Sequence, residues 1–208
     1  MPTLSGRRAE ASRNDERVLA AARSVLTADP GAAMADIARR AGVGIGTLYR
    51  RYPSKEALVQ HLCLDGMRRL EVVTRSALER VDEDPWAAFA TWMRDGLEAG
   101  AGSLGAALAG TFTPTEELLG AARELYATGQ ELIERVKAAG ALRADVTQED
   151  VNLLFEQLRA VRLGDDDRTA ELQRRYLALM LQALRAPGFA PLPGSPPAWA
   201  EIRLRWQS

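Results

Sequence analysis

The stretch from Met34 to Lys55, Met-Ala-Asp-Ile-Ala-Arg-Arg-Ala-Gly-Val-Gly-Ile-Gly-Thr-Leu-Tyr-Arg-Arg-Tyr-Pro-Ser-Lys, constrains this chain more than any other. Ile37, Ala38 and Ala41 fall on one face of a short amphipathic helix, and Gly42-Val43-Gly44 permits a tight turn. Thr47, Leu48 and Tyr52 then belong to a second short helix. Two helices of about two turns, joined by three or four residues that include Gly, make a helix-turn-helix. The second helix presents Thr47, Tyr49, Arg50 and Arg51 and is followed at once by Ser54 and Lys55. Hydroxyls, a phenol and cations are the groups that grip the phosphate oxygens of duplex DNA. The expectation is a DNA-reading segment.

A net charge of −1 argues against such a partner until the charges are placed along the chain. Residues 1–60 carry 10 Lys and Arg against 6 Asp and Glu, a net +4, and residues 61–208 carry 17 against 22, a net −5. A basic module on an acidic body suits a DNA reader with a separate sensing part. No apolar run approaches the ~18 residues of a membrane span, so no membrane partner is expected. The N-terminus, with Arg7, Arg8, Glu10 and Arg13, lacks the apolar centre of a signal peptide. The single cysteine, Cys63, has no partner for an internal disulfide, which suits a reducing cytoplasm. Two lysines against 25 arginines indicate a GC-rich coding bias of the actinobacterial type.

No hairpin signal interrupts the helical periodicity, and the fold class read from it is all-α. A first helix is expected from about Asp15 to Ala28, ended by Asp29-Pro30-Gly31. Ser54 caps a long helix from Lys55 to about Arg80. Asp84-Pro85 starts another, and residues 99–110 read as a short or broken helix. Thr113-Pro114-Thr115-Glu116 reads as a capping box, with Thr113 as the cap and Pro114 behind it, that opens a helix to about Ala139, and Thr147 with Asp150 caps one to about 163. The last long helix, roughly Asp166–Ala186, is apolar nearly all round between Tyr176 and Leu184, as a helix with two partners is. Beyond it lies a Pro-rich tail in which Trp199 and Trp206 indicate partial docking onto the body.

Ile37-Ala38-x-x-Ala41-Gly42-Val43, Gly46-Thr47-Leu48-Tyr49 and Tyr52-x-x-Lys55 together resemble the N-terminal domain of the tetracycline-repressor (TetR) family, over about residues 14–66. The C-terminal part, including the run from Ala138 to Thr147, is similar to an actinobacterial sub-branch of that family. The resemblance implies an N-terminal three-helix domain with the helix-turn-helix and a C-terminal helical ligand-binding and dimerisation bundle. The expected divisions are a flexible basic arm (1–13), the DNA-binding domain (14–60), the ligand-binding and dimerisation domain (61–186) and the tail (187–208). It further implies a homodimer held by the last two long helices and a repressor released from its DNA operator by a small, mostly apolar effector. A ligand-independent or partner-controlled DNA-binding regulator is the alternative. Ala33 and Gly44 depart from the family pattern, which favours hydroxyl caps there, at a cost of roughly 0.5–2 kcal/mol for Ala and less for Gly.

The residues assigned to DNA are Met34, Gly44, Ile45, Gly46, Thr47, Tyr49, Arg50, Arg51 and Lys55. Gly46 costs a helix about 1 kcal/mol against Ala, and a close approach of backbone to DNA accounts for it. Tyr49 stands about 100° from the buried stripe of Leu48, so its hydroxyl is free to reach phosphate. Lys55 opposes its helix dipole unless a phosphate shares the site. Arg50 and Arg51 suit guanine edges or backbone alike, and Ile45 suits a thymine methyl. Arg7, Arg8 and Arg13 read either as a minor-groove arm or as a solvated tail. Trp86, Phe89, Trp92, Met93, Phe112, Tyr126, Phe155 and Gln157 are assigned to an effector cavity because they are bulky or polar-tipped and lie on or beside the helices from about 85 to 100, 114 to 139 and 148 to 163. His61, the only histidine, has no metal-ligand partner at the right spacing, and no phosphate loop or nucleophile elbow is present. No enzymatic activity, cofactor or metal is expected.

Overall fold

The computed structural model describes residues 4–102, 108, 110–187 and 190–204, which form nine α-helices and no strand among the described residues. These are α1 (Leu4–Ala28), α2 (Met34–Ala41), α3 (Ile45–Arg51), α4 (Lys55–Leu78), α5 (Pro85–Ala99), α6 (Glu116–Ala138), α7 (Gln148–Ala160), α8 (Asp166–Leu184) and α9 (Trp199–Leu204). The caps read at Ser54, Asp84 and Thr147 set their helix starts, whereas α6 is capped by Thr115 rather than by Thr113. Ser54, Asp84, Thr115 and Asp165 each accept from the backbone N–H three residues on. Thr147 and Asp150 cap α7 reciprocally.

Three helix ends bear on the expectations. α1 begins at Leu4 rather than near Asp15, and the side chains of Arg7, Arg8 and Arg13 lie outside the described residues. α7 stops at Ala160 rather than 163, because the Gln173 amide takes the Val161 carbonyl at 3.2 Å and Thr169 Oγ1 bonds both Leu163 N and O at 3.1 Å. Gly100, at φ 98°, ends α5. The broken helix expected over 99–110 falls largely outside the described residues.

Two apolar cores form. The first joins Val18 and Leu26 of α1, Ile37 of α2, Leu48 of α3, and Leu58 and Leu62 of α4. The second gathers Phe89 and Met93 of α5, Leu132, Ile133 and Val136 of α6, Val151 and Leu158 of α7, and Leu177 and Leu181 of α8. Each such side chain stabilises by roughly 1.5–3 kcal/mol when fully buried. α4 belongs to both cores, with Leu70, Val73 and Ala77 packed in the second. The segment before α6 also reaches the first core. Leu108 and Phe112 pack there, as does Leu118 in the first turn of α6, while Gln60 donates to the Thr113 carbonyl (2.9 Å) and Glu56 accepts from Thr113 N–H (3.2 Å).

The tail docks through α9. The Trp199 ring lies 4.8 Å from that of Tyr126, and Trp206 is outside the described residues. Upstream, Arg143 donates to the Ala190 carbonyl and Leu192 N–H donates to Asp145. The Arg143 guanidinium, and then the Leu192 N–H, hold the Asp145 carboxyl well below the usual carboxylate range.

Candidate functional site

Gly42, at φ 68°, makes the turn between α2 and α3, a conformation that any side chain strains. Arg17 Nη2 donates to the Ala41 carbonyl at 2.8 Å and so closes the C-terminus of α2 from α1. At the other end of α2, Ala33 offers no side-chain cap. Asp36 supplies the surviving half of a capping box by accepting from Ala33 N–H at 3.2 Å. Gly44 likewise gives α3 no side-chain cap.

α3 buries Leu48 and leaves Ile45, Gly46, Thr47, Tyr49 and Arg50 together on an exposed face, with Gly44 exposed before them. Arg50 donates to Thr47 Oγ1 at 3.1 Å, which holds the guanidinium on that face. Tyr49 is 48% exposed with its phenol available. Two assignments change. Met34 is 5% exposed and belongs to the first core, because it shares the inward stripe of α2 with Ile37, Ala38 and Ala41. Arg51 turns back to α1, pairing with Asp15 at 2.9 Å and lying over the Tyr52 ring. The Asp15 charge raises the Arg51 pKa. Lys55 stands at the start of α4 and donates to the Pro30 carbonyl at 2.6 Å. His61 packs its ring 5.4 Å from that of Tyr52.

Gly46 supports a specific expectation. A Cβ built there meets nothing within 4 Å, so the protein itself does not require glycine. Gly46→Ala should raise folding stability by up to about 1 kcal/mol, the helix-propensity difference. If a DNA backbone approaches this position, the same change weakens DNA binding. Urea unfolding and fluorescence anisotropy on a bound duplex read the two effects separately. Unchanged affinity in the stabilised variant would show that DNA does not approach Gly46.

A second feature lies in the body. α4, α5, α6 and α7 enclose a cleft of about 260 Å³, whose apolar wall includes Met67, Leu70, Trp92, Leu125 and Phe155 and whose lining also takes in Trp199 of α9. Trp92 meets Phe155 edge-on at 6.1 Å and donates its indole N–H to Thr74 Oγ1 at 3.0 Å. Burial pushes the Cys63 thiol beside this cleft up to about 12.

Of the eight residues assigned to a cavity, Trp92 and Phe155 are among the described residues that line the cleft. Phe89 and Met93 are fully buried core, and Trp86 packs between Phe89 and the Arg185 guanidinium. Phe112 belongs to the first core. The Tyr126 ring sits against Trp199, and its phenol donates to Glu149 at 2.5 Å. Burial, and then that hydrogen bond, push the phenol up to about 12. Gln157 is exposed, and its neighbour Glu156, about 100° around the helix, lines the cleft instead. Sequence reasoning missed Gln148, Asn152 and Glu156, although polar residues four apart on an otherwise apolar helix were a readable signal.

Among the described residues no three His, Cys, Asp or Glu side chains group to hold a metal, and no helix is long and apolar enough to cross a membrane. Residues 18–62 match the profile of bacterial regulatory proteins of the TetR family. Residues 84–186 match that of the SbtR-like transcriptional regulator C-terminal domain. No curated protein sequence matches the chain. Among solved structures, a TetR transcription regulatory protein from Mycobacterium vanbaalenii is 33% identical, with 86% of this chain and 99% of that chain covered and a TM-score of 0.56. The TetR transcriptional regulator SCO0520 from Streptomyces coelicolor is 27% identical, with 83% and 99% covered and a TM-score of 0.55. With a helix-turn-helix presenting an exposed polar face and likeness along nearly its whole length, this chain belongs to the TetR family of DNA-binding transcriptional regulators.

Proposed function

We propose that the protein is a homodimeric cytoplasmic repressor that leaves its operator when a small, mostly apolar ligand enters the cleft between α4 and α7. The observation that carries this reading is the dual membership of α4. Leu58 and Leu62 anchor it in the DNA-binding core, and Met67, Leu70 and Thr74 line the cleft two turns later. A ligand that reshapes the cleft therefore shifts the helix on which α3 is mounted. The segment after α5 supports the same coupling, since Gly100, Ala101 and Gly102 line the cleft while Leu108 and Phe112 pack in the DNA-binding core.

On this reading Thr47, Tyr49, Arg50 and Lys55 hold phosphate, and Ile45 with Gly46 allows α3 to enter the major groove closely. The operator is a near-palindrome with half-sites about one helical turn apart or slightly more. The ligand need favour the DNA-incompetent arrangement only about tenfold to a hundredfold, on the order of 1–3 kcal/mol.

A duplex selected from genomic fragments by the purified protein, placed before a reporter gene, tests the sign of regulation. Repression by the wild type and its relief by an effector are the expected outcomes. Leu125→Trp and Met67→Trp fill the cleft from partly exposed positions. Both should abolish the effector's influence on operator affinity. An undiminished effector response in both, with folding and DNA binding intact, places the sensing site elsewhere.

A further inference from the structure

We infer that the C-terminal tail is a strap that closes the cleft, laying Trp199 and Ile202 along its rim as a wall that swings aside before a ligand enters. Closure stands without the reading of this cleft as the sensing site, and only its consequence for an effector rests on that reading. Trp199 lines the cleft and is also 43% exposed, so it stands where the cleft meets solvent. The tail lies beyond residues 84–186, the span of the matching C-terminal domain, so the strap is not part of what that domain shares.

Two fasteners hold the tail. At the first, Arg143 grips Asp145 through Nε and Nη2 at 2.9 and 2.8 Å. The pair then takes the tail backbone, since Arg143 Nη2 donates to the Ala190 carbonyl at 2.6 Å and Leu192 N–H donates to Asp145 at 2.9 Å. At the second, the Trp199 ring packs 4.8 Å from that of Tyr126, which is itself held by the bond from its phenol to Glu149. Between the fasteners Pro193, Pro196 and Pro197 fix φ, which lowers the entropy lost when the tail docks. From Leu192 to Trp199 the chain reaches at most about 25 Å. Trp199 released from Tyr126 therefore stays tethered beside the cleft and returns to it.

The strap is built to dock and to leave. α9 has six residues, far short of the roughly 12–15 that an isolated helix needs in water, so docking is what keeps it helical. Its faces differ. Trp199 and Ile202, three apart, share the side that lines the cleft, and Ile202 is half-buried. Ala200 and Glu201 are exposed, and Glu201 turns back to accept from Ala198 N–H at 2.6 Å. The apolar side of α9 thus joins a cleft wall that holds Met67, Leu70 and Leu125. A short, largely exposed element with few buried side chains is the kind that opens before the core does.

Cys63, the only cysteine, lines the same cleft and reports whether it is open. Burial pushes its thiol up to about 12, so the closed protein should react slowly with a neutral disulfide. The full-length protein is mixed with 4,4′-dithiodipyridine, and release of pyridine-4-thione follows the exchange at Cys63. The rate follows the population of the open form, so Trp199→Ala and Ile202→Asp should each raise it about tenfold. Ala200→Asp, on the outward side of α9, should change it less than about twofold. Asp145 is not among the described residues that line the cleft, so its effect on Cys63 runs through the tail. Asp145→Ala should raise the rate about threefold. Thermal unfolding confirms that each variant is folded. Unchanged rates in Trp199→Ala and Ile202→Asp, or an equal rise in Ala200→Asp, would overturn the inference, and an unchanged rate in Asp145→Ala alone refutes the first fastener. Operator affinity is measured alongside. Faster exchange at Cys63 sustains the strap even where no effector shifts that affinity, so the two readings fail separately.

Discussion

Arginine at Leu177 is expected to unfold the protein, whereas arginine at Leu179, two residues away, is expected to leave a folded monomer. Leu177 is 1% exposed and sits in the second core with Phe89, Val136 and Leu181. An unpaired charge there costs several kcal/mol, out of a total stability of roughly 5–15 kcal/mol. Leu179 is 56% exposed and lies about 200° around α8 from Leu177. With Tyr176 and Ala183, also exposed, it forms an outward stripe at spacings of three and four. We assign that stripe, with exposed Leu163 nearby in sequence, to the dimer interface. A charge placed on it costs the isolated subunit little and the dimer much. Circular dichroism melting separates the two variants by fold, and sedimentation separates them by mass. A wild type that sediments as a folded monomer at micromolar concentration, or a Leu179→Arg protein that remains dimeric, refutes the assignment.

The run from Tyr176 to Leu184 also marks where the sequence was legible and where it was not. Its apolar character on several faces was plain from composition. Which leucines point inward depended on the helix phase, and that is fixed by packing against α5, tens of residues away, and α7. The helix-turn-helix was far easier to read, because its turn, stripe and polar face are all local. Even there, Met34 and Arg51 were misplaced by long-range packing, one by the inward stripe of α2 and the other by Asp15 on α1. The caps at Ser54, Asp84 and Thr147 are likewise local and stand where expected, whereas the cap of α6 falls at Thr115, two residues after the Thr113 that the capping-box pattern pointed to. The cleft was the hardest part. A ring on a helix looks the same in sequence whether it fills a core, as Phe89 does, or edges a void, as Trp92 does. What shapes this cleft is small or polar: glycines at 66, 96, 100, 102 and 129, and the amides of Gln148 and Asn152. Those residues acquire meaning only when α4, α6 and α7 are brought together.

The salt dependence of DNA binding gives the second large effect and distinguishes the cations of the reading head. Each subunit offers Arg50 on the exposed face of α3 and Lys55 at the start of α4. Lys55 gives one proton to the Pro30 carbonyl, and its ammonium has two more for a phosphate. Arg51 is different, since Asp15 already neutralises it. On the proposed dimer, with Arg50 and Lys55 on phosphate, two subunits neutralise about four phosphates, for an expected slope of log affinity against log salt near −3.6. Raising salt from about 50 to 200 mM should then cost about a hundredfold in affinity. Arg50→Ala removes about two of the four contacts per dimer and should lower the slope by about 1.8. Arg51→Ala should leave the slope nearly unchanged, because it removes an internal ion pair rather than a phosphate contact. Tyr49→Phe should weaken binding at every salt concentration without altering the slope, since a phenol releases no counterion. Anisotropy titrations at four or more salt concentrations read all three variants. If Arg51→Ala flattens the slope and Arg50→Ala does not, the guanidinium seen paired with Asp15 moves to the DNA on binding, and the roles of the two arginines are exchanged.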